Sequence, residues 1–270
     1  MTSLQEIAVT IRKDIIKMIS KAQSGHPGGS LSSVEILVLL YFEIMNLDVK
    51  DFQNKNRDKF ILSKGHAAPL LYSVLARKGF FDISELNTLR ALSSRLQGHP
   101  DMHLLPGIEI STGSLGHGIS AAVGIALAQK IDKINAYTYA LTGDGELDEG
   151  IVWEAAMAAA HYNLKNLIVF VDYNGLQIDG NTCDVMNLGD VYKKFDAFGF
   201  NTIYVDDGHD FEKLRKAVDQ AKKSEFKPSA IICKTIKGKG VSFMENNAAW
   251  HGKAPSEEQT KQALAELEAM

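Results

Sequence analysis

The chain has 270 residues, 45% of them hydrophobic and 23% charged, with a formal net charge of -4. That balance suits a chain with a large buried core and argues against a nucleic-acid partner, since no Lys/Arg stripe interleaves with aromatics. No apolar run approaches membrane-spanning length, and Cys183 and Cys233 suggest neither a zinc site nor a disulfide framework, so a cytoplasmic chain with no membrane partner is expected.

The N-terminal stretch MTSLQEIAVTIRKDIIKMI reads as an amphipathic helix ending near Ala22, and its mix of acidic and basic residues is not that of a signal peptide. Gln23 to Ser30 (QSGHPGGS) is a Gly/Pro loop. Leu31 to Asn46 predicts a second helix, with Ser32 or Ser33 near its cap. Asp48 to Lys59 is a charged surface loop, and Phe60 to Leu62 a short strand that opens into Ser63-Lys64-Gly65-His66. Helices are expected over Ala67 to Lys78 and Phe81 to Arg95, followed by an irregular stretch from Gly98 to Gly107. Gly113 to Gly118 opens a helix running from Ile119 to Ile131. The apolar runs Ala136 to Leu141 and Leu167 to Val171 are strands, joined by a helix over Leu147 to Asn163. A loop from Gly175 to Asn187 precedes a helix over Val191 to Phe198. Strands at Thr202 to Val205 and Ala230 to Cys233 flank a helix over Asp210 to Lys222, and a helical tail starts at about residue 255. The alternation predicts one α/β domain over 1–270, a doubly wound parallel sheet with helices on both faces.

Right-handed crossovers put Asp144, in Gly143-Asp144-Gly145, and Asn174 on the same carboxyl edge, where open α/β sheets bind ligands. One carboxylate and one amide oxygen make a poor proton relay but a partial shell for a hard cation. Mg²⁺ or Ca²⁺ fits, with a diphosphate completing the shell and the Leu176 carbonyl a possible third oxygen. The bland alternative is two ordinary turns, with Asn174 capping the next element. Ser111 to Gly118 (STGSLGHG) stands at a helix N-terminus, where free N–H groups favour an anionic or polar ligand, although glycines there also serve as plain turn punctuation. His26, His66 and His99 each lie in a Gly- or Pro-containing loop, and His251 lies in Trp-His-Gly. None shows zinc spacing, so neutral imidazoles trading protons with hydroxyl or carbonyl groups are the better role. His161 and His209 read as surface or hydrogen-bonded filler. Lys237 can meet a phosphate or belong to a solvated basic loop.

Together these segments resemble the N-terminal, diphosphate-binding half of transketolase. The matching pieces are SGHPGG (24–29), SKGHA (63–67), QGHPD (97–101), STGSLGHG (111–118), GDGELDEG (143–150), the Asn174 segment, KTIKGKG (234–240) and WHGKAP (250–255). They follow the family order over nearly the whole chain. The resemblance implies thiamine diphosphate as cofactor, with Asp144, Asn174 and the Leu176 carbonyl on its metal. It places His66, Gly145, Lys237 and His251 around the cofactor's phosphates, His251 also near the reacting centre. Gly113 and Leu115 would approach the aminopyrimidine, Ile178 would pack near the thiazolium, and His26 and His99 would face the hydroxyls of a donor sugar. Glu149 would lie at a subunit boundary. His117 stands where the family usually has Gln, which leaves the fine contacts of that position open.

Family transketolases are more than twice this length, and their second domain supplies a glutamate that engages the aminopyrimidine. The resemblance therefore implies a separately encoded C-terminal partner subunit, sugar phosphate substrates, and a heterotetramer of two copies of each chain. The native-looking Met1 and the helical ending favour a subunit over a fragment. Two rival readings are the α subunit of a 2-oxo-acid dehydrogenase, which shares the Gly-Asp-Gly and Asn pair but does not need sugar-facing histidines, and a cofactor-binding protein without turnover.

Overall fold

The computed structural model describes residues 2–270. Helix α1 (Leu4–Ala22) begins at a reciprocal cap, in which the Ser3 hydroxyl accepts from the Glu6 N–H at 3.2 Å and the Glu6 carboxylate accepts from the Ser3 N–H at 2.6 Å. Its Ile11, Ile15, Ile16 and Ile19 recur at helical spacing and are fully buried. Then follow α2 (Pro27–Leu31), α3 (Val34–Leu39), β1 (Lys59–Leu62), α4 (Ala68–Lys78), α5 (His117–Ile131), β2 (Thr138–Gly143), α6 (Gly150–His161) and β3 (Leu167–Tyr173). A two-strand ribbon of β4 (Leu176–Gln177) and β5 (Gly180–Asn181) leads into α7 (Thr182–Val185) and α8 (Val191–Ala197). The chain closes with β6 (Asn201–Val205), α9 (Phe211–Lys222), β7 (Ser229–Lys234) and α10 (Glu257–Glu268).

Five strands form one wholly parallel sheet in the order β1-β2-β3-β7-β6. Alternation along each strand splits the core in two. Phe60, Leu62, Tyr139, Leu141, Ile168, Phe170, Ile231 and Cys233 face a layer that includes α1, α3, α4 and α9. Ile61, Ala140, Val169, Val171, Ala230 and Ile232 face α5, α6 and α8. Helices thus cover both faces of a parallel sheet, as expected. The C-terminal helix is part of this core, with Ala263 and Leu267 fully buried in the same layer as α1.

Three stretches differ from the sequence reading, the first being the expected loop Gly175 to Asn187, which holds the β4–β5 ribbon and the short α7. The helix expected over Leu31 to Asn46 starts earlier, at Pro27, and breaks at Ser32 and Ser33. There the Ser32 hydroxyl turns inward to the Asp172 carboxylate (2.5 Å), and Ser33, although it precedes α3, caps nothing with its side chain. The helix expected over Phe81 to Arg95 shrinks to tight turns over Ile83–Thr88, after which Arg90 and Ser93 adopt left-handed backbone, with φ of 58° and 64°. Tertiary contacts override local propensity in both of these helices. The remaining helices and strands match the expectation to within a few residues at their ends.

Candidate functional site

The turns after β1, β2, β3 and β7 open on one edge of the sheet and enclose an open cleft. Gly29, His66, Leu115, Asp144, Gly145, Asn174, Leu176, Ile178, Lys237 and His251 all line it, together with Lys64, Glu146, Asp172 and Gln177. Every residue expected on the metal or the cofactor is therefore in one place except Gly113, which lies a short step away beneath the ring of His99.

Asp144 is 2% exposed and directly follows β2. Its two oxygens accept from the backbone N–H groups of Gly145 (2.9 Å) and Gly175 (2.6 Å), so the carboxylate reaches across to the turn that bears Asn174. Burial, then the neighbouring charge of Asp172, push its pKa up to about 7 against those two hydrogen bonds. The charge of Lys237 offsets this only in part, and a further cation beside Asp144 would restore the ionised form. Asn174 gives its amide N–H to Asp172 (3.1 Å), and its amide oxygen accepts from Leu176 N–H (3.1 Å) with its second lone pair unused. Gln177 Oε1 is buried without a donor among the described residues, a further oxygen awaiting a partner. Among the described residues no three His, Cys, Asp or Glu side chains converge as a metal cage. A cation here can take only one carboxylate with amide and carbonyl oxygens, and it needs the rest of its shell from a ligand.

The Leu176 carbonyl accepts from the ammonium of Lys237 at 3.2 Å. The same ammonium sits 3.0 Å from Nδ1 of His251; donating there fixes the proton of that imidazole on Nε2. Lys237 is 3% exposed, and burial lowers its pKa. It is not part of a solvated basic loop.

Four imidazoles form a single cluster. The ring centre of His26 lies 5.3 Å from that of His66, 5.4 Å from His251 and 6.3 Å from His99, and His66 and His251 are 5.3 Å apart. Burial first, then the surrounding cations, lower the pKa of both His26 and His251 to about 4 and that of His66 well below its usual value; His99 moves the same way. All four are neutral at pH 7, able both to donate and to accept. His26 Nδ1 is buried with no hydrogen-bond partner among the described residues.

Three buried groups were not singled out from the sequence. Asp172 is fully buried and accepts from Lys64 Nζ (2.5 Å), Ser32 Oγ (2.5 Å), Asn174 Nδ2 (3.1 Å) and the Thr235 hydroxyl. Burial alone would raise its pKa, but the Lys64 charge and these bonds win and hold it at about 2. Lys64 also donates to the Gly29 carbonyl (2.7 Å), so this pair ties the β1 turn, α2 and β3 together behind the cleft. Glu146 is likewise buried; it accepts from the Ser63 hydroxyl, from Gly116 N–H (2.8 Å) and from Gly143 N–H (3.1 Å), holding the glycine loop before α5 to the Gly-Asp-Gly turn. Only their position beside motif residues, in Ser-Lys-Gly-His and Gly-Asp-Gly-Glu, could have drawn attention to Lys64 and Glu146.

A close backbone approach explains one glycine of that loop and a left-handed backbone another. A Cβ on Gly118 would lie 2.5 Å from Ser63 Cα, and Gly116 has φ of 81°. His117 is exposed at the first position of α5 beside an open hollow that also includes His99 and Ser111. Glu149 is exposed at the start of α6, away from the cleft lining. Ile178, 56% exposed with φ of 27°, reaches the cleft from the β4–β5 turn. His209 is hydrogen-bonded filler of a particular kind: its Nε2 accepts from Ile236 N–H (2.9 Å) and its Nδ1 meets Glu35 (2.9 Å), itself paired with Arg12. His161 is exposed at the end of α6.

Comparison with known proteins agrees with this geometry. The family described as transketolase, thiamine diphosphate binding domain, matches residues 3–268. The chain is 47% identical over 265 residues to the 6-deoxy-6-sulfo-D-fructose transketolase subunit SqwG of Clostridium sp. (strain MSTE9), covering 98% of this chain and 96% of that one. It is 42% identical over 258 residues to an apulose-4-phosphate transketolase subunit of Phocaeicola vulgatus, covering 95% and 90%. The fold superposes on transketolase from Leishmania mexicana with a TM-score of 0.94 at 34% identity, over 99% of this chain but only 42% of that one. The chain thus spans less than half of that full-length transketolase and nearly all of the two subunits. It belongs to the transketolase family, as the section that binds thiamine diphosphate.

Proposed function

We propose that this chain is the N-terminal subunit of a two-component transketolase, moving a two-carbon glycolaldehyde unit from a ketose phosphate to an aldose phosphate with thiamine diphosphate and a divalent metal. The observation that carries this reading is the meeting of the Asp144 and Asn174 turns with four neutral imidazoles at one sheet edge. A 2-oxo-acid dehydrogenase subunit has no use for that imidazole cluster, and a protein without turnover has none for its proton-handling state.

Thiamine diphosphate, when bound, supplies the carbon nucleophile and the electron sink for breaking the bond next to a ketose carbonyl. The donor set fits its metal: Asp144 with a raised pKa, the Asn174 amide oxygen and the Leu176 carbonyl are hard oxygen ligands for Mg²⁺ or Ca²⁺. Lys237, His66, His251 and the Gly145 N–H hold the diphosphate. Gly113 and Leu115 offer their backbone to the aminopyrimidine, and Ile178 packs near the thiazolium. His26 and His99 bind and orient the donor's hydroxyls, their rings lying 6.3 Å apart. His251 presents a protonated Nε2 toward the reacting centre, because Lys237 occupies its other nitrogen.

The partner is a separately encoded C-terminal subunit, in a heterotetramer of two copies of each chain. The relatives named as subunits support this reading. So does the outward face of α5 and α6, where Gly124, Ile131 and Met157 stand exposed on helices with few charges. The names of those two relatives also favour less common ketoses as donors. Titrating thiamine diphosphate into the two-chain complex tests the cofactor assignment. Binding should need Mg²⁺ or Ca²⁺, disappear with a chelator, and weaken at least tenfold in Asp144→Ala. Metal-independent binding that Asp144→Ala leaves unchanged would refute it.

A further inference from the structure

Arg90 has no role in the reading above, yet it lies against both donor-facing loops. Its guanidinium donates to the Ser24 hydroxyl at 3.2 Å, two residues before His26. On its other side it lies flat on Gly98, one residue before His99, where an added Cβ would come within 2.8 Å of Arg90 Cζ. No carboxylate lies within ion-pair distance of Arg90 among the described residues, so its charge is not neutralised locally.

The backbone around it is built to aim this side chain. Arg90 takes left-handed φ (58°), and its N–H donates to the Leu96 carbonyl at 2.8 Å, closing a loop that ends just before Gly98. Non-glycine residues rarely accept this conformation, and where they do, the surroundings must hold it. From the core side, the Tyr72 hydroxyl reaches the carbonyls of Gln97 (2.9 Å) and His99 (3.2 Å). The His99 loop is thus gripped from below by Tyr72 and from outside by Arg90. The His26 loop is held on its C-terminal side, by the Ser30 hydroxyl on the His26 carbonyl (2.7 Å), by Gly238 N–H on the Gly28 carbonyl (3.0 Å) and by Lys64 on the Gly29 carbonyl (2.7 Å), while on its N-terminal side Arg90 reaches Ser24.

We propose that Arg90 is a positioning residue for the donor sugar: by bridging Ser24 and Gly98 it fixes the spacing of His26 and His99, the two imidazoles that receive the donor's hydroxyls. This rests on the transketolase reading for the identity of the ligand but not for the clamp itself. A planar fork that hydrogen-bonds one loop while lying flat on the glycine of another cannot be replaced by a point charge, so lysine should not substitute for it. The same guanidinium acts on the imidazoles through its charge. His26 feels Arg90 and Lys237 as cations and has His66, His99 and His251 around it; His99 feels Arg90, with His26 opposite and Gly113 backbone against its ring. Lysine keeps that charge while losing the clamp, and the two effects separate.

The test uses Arg90→Ala and Arg90→Lys in the complex of this chain with the second subunit, and records three quantities. These are thiamine diphosphate affinity, the KM and kcat for the ketose phosphate donor, and the histidine ring resonances of the isotope-labelled chain as pH is varied. We expect unchanged cofactor affinity in both variants and a donor KM raised about tenfold in both, a moderate loss for misplaced binding groups. The midpoints of His26 and His99 should move up in Arg90→Ala and return in Arg90→Lys. An unchanged donor KM in Arg90→Ala, or full rescue of KM by Arg90→Lys, would overturn the clamp. If the wild-type complex binds cofactor but turns over no ketose phosphate, the functional reading fails instead. The ring positions still decide Arg90 in that case: His26 and His99 shifts unchanged in Arg90→Ala would refute it, and shifts that move in both variants would uphold it.

Discussion

Breaking the pair Lys64–Asp172 should damage both the fold and the cleft. The two groups are about 1% and 0% exposed and lie 2.5 Å apart, so neither has water to fall back on. Removing one partner of such a pair leaves an uncompensated buried charge, which costs about 3–5 kcal/mol. For a chain of this size that is a fall in Tm of about 10 °C. Lys64→Met keeps the length of the side chain but strips the cation from Asp172, whose remaining donors are Ser32, Thr235 and Asn174. Asp172→Asn leaves the ammonium with only the Gly29 carbonyl. The double variant removes both charges and should recover part of the loss, with a coupling energy of about 2 kcal/mol or more. Urea and thermal unfolding of the four proteins at pH 7 measure this directly. Because Asp172 also accepts from the Asn174 amide, Asp172→Asn should weaken metal binding more than Lys64→Met does at equal stability. Single losses below about 1 kcal/mol, or losses that add within about 0.5 kcal/mol, would refute the argument.

Other consequences are independent of that pair. Glu35 is buried, a position that alone would raise its pKa, but Arg12 and the hydrogen bond from His209 hold it at about 2 against an ordinary 4.5. Its contribution to stability is therefore complete above pH 4.5 and lost as pH falls toward 2, and Glu35→Gln should flatten that acid limb in unfolding curves. His26 and His251 have pKa values lowered to about 4, so the unfolded chain binds their protons first. They should cost stability as pH falls from 6.5 to 4, and NMR midpoints near 6.5 would contradict their burial. Gly118→Ala forces a methyl group to within 2.5 Å of the Ser63 backbone and should destabilise by about 1–3 kcal/mol in thermal unfolding.

Much of this was legible in the sequence because the cleft is made of turns at strand ends. Glycine-flanked Asp144 after one apolar run and Asn174 after the next are enough, given the handedness of the crossover, to place both on one edge. Histidines scattered over some 225 residues were less readable, since only the fold makes His26, His66, His99 and His251 neighbours. The buried charges escaped because sequence carries no measure of depth: Lys64 and Glu146 look like surface residues, and Asp172 sits inside what reads as a strand. The stretch from Phe81 to Arg95 misled for a related reason. Its spacing permits a helix, but Arg90 and Ser93 take left-handed backbone and Arg90 N–H closes onto the Leu96 carbonyl, a turn that local spacing does not announce.

The most direct test of a split transketolase is transfer of glycolaldehyde between sugar phosphates by this chain mixed with its C-terminal subunit, each chain also assayed alone. The donors should include xylulose 5-phosphate and the ketoses named for the two related subunits. Turnover in the mixture only, abolished by Asp144→Ala, is the predicted result. Equal activity from this chain alone, or turnover in the mixture that survives Asp144→Ala, would contradict the account.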